Sequence, residues 1–134
     1  MRIRFATALT VLLVVLLSYP ARASAQAVAT ALMTKDLPEF VGKEVVMSTV
    51  LYPAGVASKP HRHDAHTLVY VLEGTVIMQI AGGVAMTLAP GQTFYENPTD
   101  VHITSRNAST TAPAKILVFM IKEKGKPATR PAPF

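Results

Sequence analysis

Between Lys43 and Lys122 the chain is cut every few residues by turn formers: Pro53-Ala54-Gly55, Glu73-Gly74, Gly82-Gly83, Ala89-Pro90-Gly91, Asn97-Pro98 and Pro113. The segments left between them, residues 44–52, 67–73, 75–81, 84–88, 92–96, 101–106 and 115–122, are short, alternating or apolar, and rich in β-branched and aromatic side chains. Breaks this frequent leave no room for a multi-turn helix but suit strands. Seven strands at this spacing predict an all-β barrel or sandwich. The one segment read as helical is 28–36, and neither an internal repeat nor a second domain is visible. Met47, Val69, Val71, Met78, Met86, Phe94 and Phe119 lie in the strand segments and are the expected core.

The N-terminus follows a different logic. Arg2 and Arg4 precede an apolar stretch from Val11 to Leu17, followed by Pro20 and the small-residue run Ala23-Ser24-Ala25. This is the layout of a secretory signal peptide, with cleavage expected after Ala25. The apolar run is shorter than the ~20 residues a membrane span needs, so no stable membrane anchor is expected after cleavage. Export follows, to the periplasm or the medium. The mature chain then divides into a lead-in at 26–42, a barrel at 43–122 and a basic, proline-rich tail at 123–134.

Losing Arg2, Arg4 and Arg22 leaves ten basic residues against eight acidic ones, so the formal charge of +5 falls to about +2. The remaining excess lies in Lys122, Lys124, Lys126 and Arg130, among Pro127, Pro131 and Pro133. That composition predicts a solvated tail and no nucleic-acid partner. There is no Cys, hence no disulfide and no thiolate ligand, and an oxidising compartment leaves the fold untouched.

Against this background the histidines stand out. His61 and His63 are two residues apart beside a strand segment, and alternation points both imidazoles the same way. His102, beside another strand, can supply a third, giving a face able to hold one divalent metal ion. His66 is expected to point to the opposite face in a regular strand, and becomes a fourth ligand if a bulge re-aims it. Of Tyr95 and Glu96, alternation sends only one inward, where it can serve as hydrogen-bond donor or general base.

The residues from Gly55 through His61-Arg62-His63 to Gly74 resemble the first motif of the cupins, and those from Pro90-Gly91 through His102 to Asn107 resemble the second. The resemblance covers about residues 43–122 and implies a double-stranded β-helix, or jelly-roll barrel, with His61, His63 and His102 as metal ligands. It also implies a homodimer, because a small barrel has sheet edges to cover. The chain departs from the family pattern in three places. Thr67 stands where the acidic metal ligand is usual, Asn97 and Thr99 replace Pro and Gly, and four residues rather than three separate His102 from Asn107. Asn107 is expected to tie down backbone at its strand end.

Three neutral imidazoles cancel none of a divalent ion's charge, so the site is expected to favour a small anionic substrate such as an enolate or phenolate. This resembles the three-histidine cupin dioxygenases. The function expected on that basis is metal-dependent dioxygenation of a small enolisable or phenolic compound. The alternatives are a non-catalytic binding module and a metal-assisted isomerase or hydrolase. Imidazole ligands accept iron, manganese, nickel, copper and zinc alike, which leaves the metal open.

Overall fold

The computed structural model describes residues 25–132. The proposed signal peptide therefore lies, apart from Ala25, outside the described residues. Ten strands run in chain order: β1 (Val28–Asp36), β2 (Lys43–Tyr52), β3 (His61–Arg62), β4 (His66–Glu73), β5 (Val76–Ile80), β6 (Met86–Leu88), β7 (Thr93–Glu96), β8 (His102–Asn107), β9 (Ala114–Glu123) and β10 (Arg130–Pro131). They form two five-stranded sheets, β1-β2-β9-β4-β7 and β10-β3-β8-β5-β6, with every pair antiparallel. Facing each other, the sheets make the double-stranded β-helix expected from the sequence.

Alternation along the strands sets the core. In β9, Ala114, Ile116, Val118 and Met120 are buried while the residues between them are half-exposed. In β4, Thr67, Val69 and Val71 face in, and His66, Leu68 and Tyr70 face out. Val76 and Met78 of β5 and Leu88 of β6 close the core from the second sheet. Of the expected core residues, Val69, Val71 and Met78 are buried, but Met86, at the start of the three-residue edge strand β6, is 46% exposed. One polar pair closes an end of the barrel: Lys122 Nζ donates to Glu44 Oε1 at 2.5 Å across the β2–β9 ladder, and both residues are buried.

Two expectations are corrected. Residues 28–36 form strand β1, not a helix. This segment pairs with β2 along its length, and its exposed side chains carry no pattern of their own. The tail is likewise not disordered, though most of it is exposed: Arg130–Pro131 pair with β3, and Asp64 takes ion pairs from both Arg62 and Arg130. These contacts fold residues 128–131 over the mouth of the barrel. Asp64 itself is the one described non-glycine residue with positive φ, at 49°. Among the described residues no helix is long and apolar enough to cross a membrane.

Candidate metal centre

The short strand β3 exists because His61 pairs directly with His102 of β8. That pairing places the two rings 5.1 Å apart, and His63, on the same side as His61, lies 5.0 Å from it edge-on. One nitrogen from each of the three rings lies within 4.8 Å of the others, so the three histidines form a cluster that could hold a metal ion.

His102 reaches this point through an irregularity in β8. His102 and Asn107 are five residues apart, and an odd spacing in a regular strand sends side chains to opposite faces. The ladder to β5 shifts register here, pairing Ile80 with His102 but Gln79 with Thr104, so Ile103 is an extra residue on β8. This bulge absorbs the residue by which the second motif exceeds the usual spacing, and His102, Ser105 and Asn107 all end up buried.

The hydrogen bonds around the cluster prepare the rings for a cation. His61 Nδ1 donates to the Lys59 carbonyl oxygen at 2.7 Å, and His63 Nδ1 donates to the Ala128 carbonyl oxygen at 2.9 Å. A carbonyl oxygen only accepts, so each Nδ1 carries the proton and each Nε2 keeps a free lone pair, the arrangement typical of metal-ligating imidazoles. Both nitrogens of His102 are buried without a hydrogen-bond partner, as is Oε2 of Glu96. Orphaned buried polar atoms are costly, and the unsatisfied nitrogens of His102 within the three-histidine cluster fit a bound metal ion.

Glu96 is the member of the Tyr95/Glu96 pair that faces inward, only 2% exposed. Its Oε2 lies 3.4 Å from His102 Nδ1 and 3.8 Å from His63 Nε2. Burial pushes its carboxyl up to about 7, with the Asp100 charge adding to the effect. Burial likewise pushes His102 down to about 3, reinforced by the two neighbouring imidazoles, and lowers His63. These imidazoles are therefore neutral at physiological pH, as metal ligands must be.

His66 does not join the cluster. The β4 ladders run without a register shift at His66 and Thr67, so no bulge re-aims the chain, and His66 stays on the outer face. There its Nδ1 pairs with the Tyr95 hydroxyl at 2.5 Å and its ring stacks on Tyr95.

The cluster sits on the wall of a cavity of about 450 Å³ between the sheets. Val69, Met78, Ile116, Val118 and Met120 make most of it apolar, and Ala128 with its neighbours forms the rim. A second polar group lies in the same cavity: Tyr52 Oη is 2.6 Å from Ser105 Oγ and accepts from Ser58 Oγ at 3.2 Å. None of these three residues was identifiable as part of the site from the sequence, and Ser105 was hidden by the bulge, which changes the phase of alternation after Ile103.

Comparison with known proteins agrees with this architecture. The cupin domain profile matches residues 48–120, more than half of the chain. No curated protein sequence matches it. Among solved structures it is similar to a conserved double-stranded β-helix protein from Klebsiella pneumoniae, at 15% identity and TM-score 0.63, over 84% of this chain and 89% of that one. It is also similar to the DMSP lyase DddQ from Ruegeria pomeroyi, at 22% identity and TM-score 0.58, over 66% of this chain and 43% of that one. A recombinant oxalate oxidase in complex with glycolate matches at 20% identity and TM-score 0.60, over 78% of this chain and 54% of that one. The chain thus spans less than half the length of that lyase. At these identities the likeness concerns the fold. By its profile match, its two-sheet barrel and its histidine cluster, the chain belongs to the cupin family.

Proposed function

We propose that the protein is a metal-dependent enzyme of the dioxygenase type, acting on a small enolisable or phenolic compound. The observation that carries this reading is the convergence of three imidazoles on the wall of a mainly apolar cavity. His61, His63 and His102 would hold the metal. When bound, it would supply Lewis-acid and redox chemistry to a substrate's oxygen atoms.

The protein's own contributions are positional. The apolar wall of Val69, Ile116, Val118 and Met120 takes up the hydrocarbon part of a substrate and excludes water. Tyr52, Ser58 and Ser105 offer hydroxyls to a polar group at the substrate's far end. His63 is held by the tail's Ala128 carbonyl, so the rim that screens the cavity also orients a ligand. The likeness to a lyase and to an oxidase is consistent with enzymatic use of such a cavity, though the fold itself serves many chemistries.

The test is oxygen uptake by protein loaded in turn with iron, manganese, nickel, copper and zinc, offered phenolic and diketone compounds. Oxygen consumption with a redox-active ion and its loss in His102→Ala support the proposal. Turnover without oxygen, or saturable binding without turnover, refutes it in favour of a lyase, isomerase or hydrolase, or of a binding module.

Export and self-association belong to the same proposal. Export predicts a mature N-terminus at Gln26 in the periplasm or medium, read by N-terminal sequencing. A homodimer is supported by the outer face of β4 and its neighbours, where Leu68, Tyr70, Leu72 and Tyr95 are all more than a third exposed. Sedimentation equilibrium measures it.

A further inference from the structure

After β9 the chain turns back and lays residues 128–132 as a strap beside the histidine cluster. Arg130 and Pro131 of β10 pair with Arg62 and His61 of β3, and the Ala132 amide donates to the Pro60 carbonyl oxygen at 3.3 Å. β3 is two residues long with a single pair to β8, so β10 supplies its other edge. The strap itself is thinly anchored. Thr129, Arg130 and Pro131 are exposed, and of the strap Ala128 alone packs against the hydrophobic core. A segment with so few buried apolar contacts opens locally far more often than the barrel unfolds.

We infer that residues 128–132 are a lid whose closing is coupled to metal binding through His63. This coupling rests on the metal-centre reading above. His63 Nδ1 donates to the Ala128 carbonyl oxygen at 2.9 Å, and Thr129 Oγ1 lies 3.2 Å from the same nitrogen. With that proton committed to the strap, Nε2 is the nitrogen left with a lone pair. A cation held there draws electron density from the ring and makes Nδ1–H a stronger donor, which tightens the bond to Ala128. In the other direction, the closed strap fixes the tautomer and orientation of His63 and raises the basicity of its ligating nitrogen. An open strap releases the ring from both constraints. Such coupling is reciprocal: the factor that closing adds to metal affinity is the factor that metal adds to closing.

The same movement shapes the cavity. Ala128, Thr129, Arg130 and Pro131 all line it, so lifting the strap widens its mouth. The strap's latch is the ion pair between Arg130 and Asp64, and Asp64 directly follows His63 in the chain. Latch and coupled ligand are thus neighbouring residues of one turn. The cavity is therefore sealed in the metal-loaded protein and open more often in the unloaded one, which ties exclusion of water from the site to the presence of the ion.

The experiment has two arms on the mature protein. The first follows amide exchange by NMR, with and without saturating Zn2+, at residues 128–130 and 132 and at Phe40 and Lys43, whose amides bond within the β1–β2 turn. The second titrates Zn2+ against a competing chelator in the wild type and in a chain ended after Pro127, with circular dichroism checking that both are folded. We expect Zn2+ to slow exchange in the strap ~10–100-fold, the range for a group that acts through a ligand, and to leave the turn amides unchanged. The truncation should lower Zn2+ affinity by the same factor. Strap exchange unmoved by saturating Zn2+ overturns the coupling, as does a folded truncated chain that keeps wild-type affinity. If the truncated chain does not fold, the exchange arm decides alone. Wild-type protein that binds no Zn2+, or binds it equally well after His102→Ala, overturns the metal-centre reading itself and the coupling with it, so the two failures are distinguishable.

Discussion

Asn107 allows a quantitative test of how the barrel holds its cavity wall. It is 1% exposed, at the end of β8. Its Nδ2 donates to the carbonyl oxygens of Ala112 at 2.7 Å, Tyr52 at 3.1 Å and Pro53 at 3.2 Å, while Oδ1 accepts from the Ser109 amide at 2.8 Å. Asn107→Ala removes all of these. The Pro53 oxygen keeps a second donor, the Val56 amide, so the main losses are at Ala112, Tyr52 and Ser109. Hydrogen bonds contribute ~1 kcal/mol each net, and a buried group left unpaired costs ~1–3 kcal/mol. With partial rescue by water at the half-exposed loop, the variant should lose about 3 kcal/mol. For a domain of this size that is a fall in Tm of roughly 10–25 °C. Urea unfolding followed by circular dichroism measures it, with the slope unchanged if the native state stays compact. Asn107→Asp should be worse, because it turns a carboxylate toward three carbonyl oxygens. A loss under ~1 kcal/mol for Asn107→Ala would refute the claim that this side chain ties the 108–113 loop to the end of β2.

Three further outcomes follow from single contacts. Gly74 has φ +70°, and a Cβ there would lie 2.6 Å from the Pro113 carbonyl oxygen, so Gly74→Ala should cost about 2–4 kcal/mol by thermal or urea unfolding. His66→Ala should leave metal content unchanged by elemental analysis, because its ring is committed to Tyr95 outside the barrel. Asp64 is held below the usual carboxylate range, first by Arg130 and then by Arg62. A lowered carboxyl contributes attachment above its unfolded value and loses it as pH falls through the lowered one. Amide exchange at residues 128–131 should therefore be slow at neutral pH and accelerate below about pH 4, and Asp64→Asn should show the fast exchange at neutral pH.

The barrel was legible because its signals are local. β2 and β4 through β9 fall within two residues of the segments that turn formers and alternation marked out. β1, β3 and β10 carry no such signal. β1 is an edge strand with every side chain exposed, so nothing in Val28–Asp36 distinguishes pairing with β2 from a short helix. β3 and β10 are two residues each and exist through partners far along the chain. The tail was read from its prolines and lysines, whereas Asp64, in a distant turn, determines where it lies. In the metal centre, spacing found His61, His63 and His102. The inward turn of Glu96 depends on the β4–β7 register, and that of Ser105 on the bulge at Ile103, both set only when the strands pair.

The central claim, that His61, His63 and His102 hold one metal ion together, is tested most directly by elemental analysis of mature protein purified without added metal or chelator, alongside the His61→Ala/His63→Ala and His102→Ala variants. The account predicts close to one divalent transition-metal ion per wild-type chain and none in either variant, with both variants folded, because the core does not depend on the ion. Full metal content in His102→Ala would contradict it.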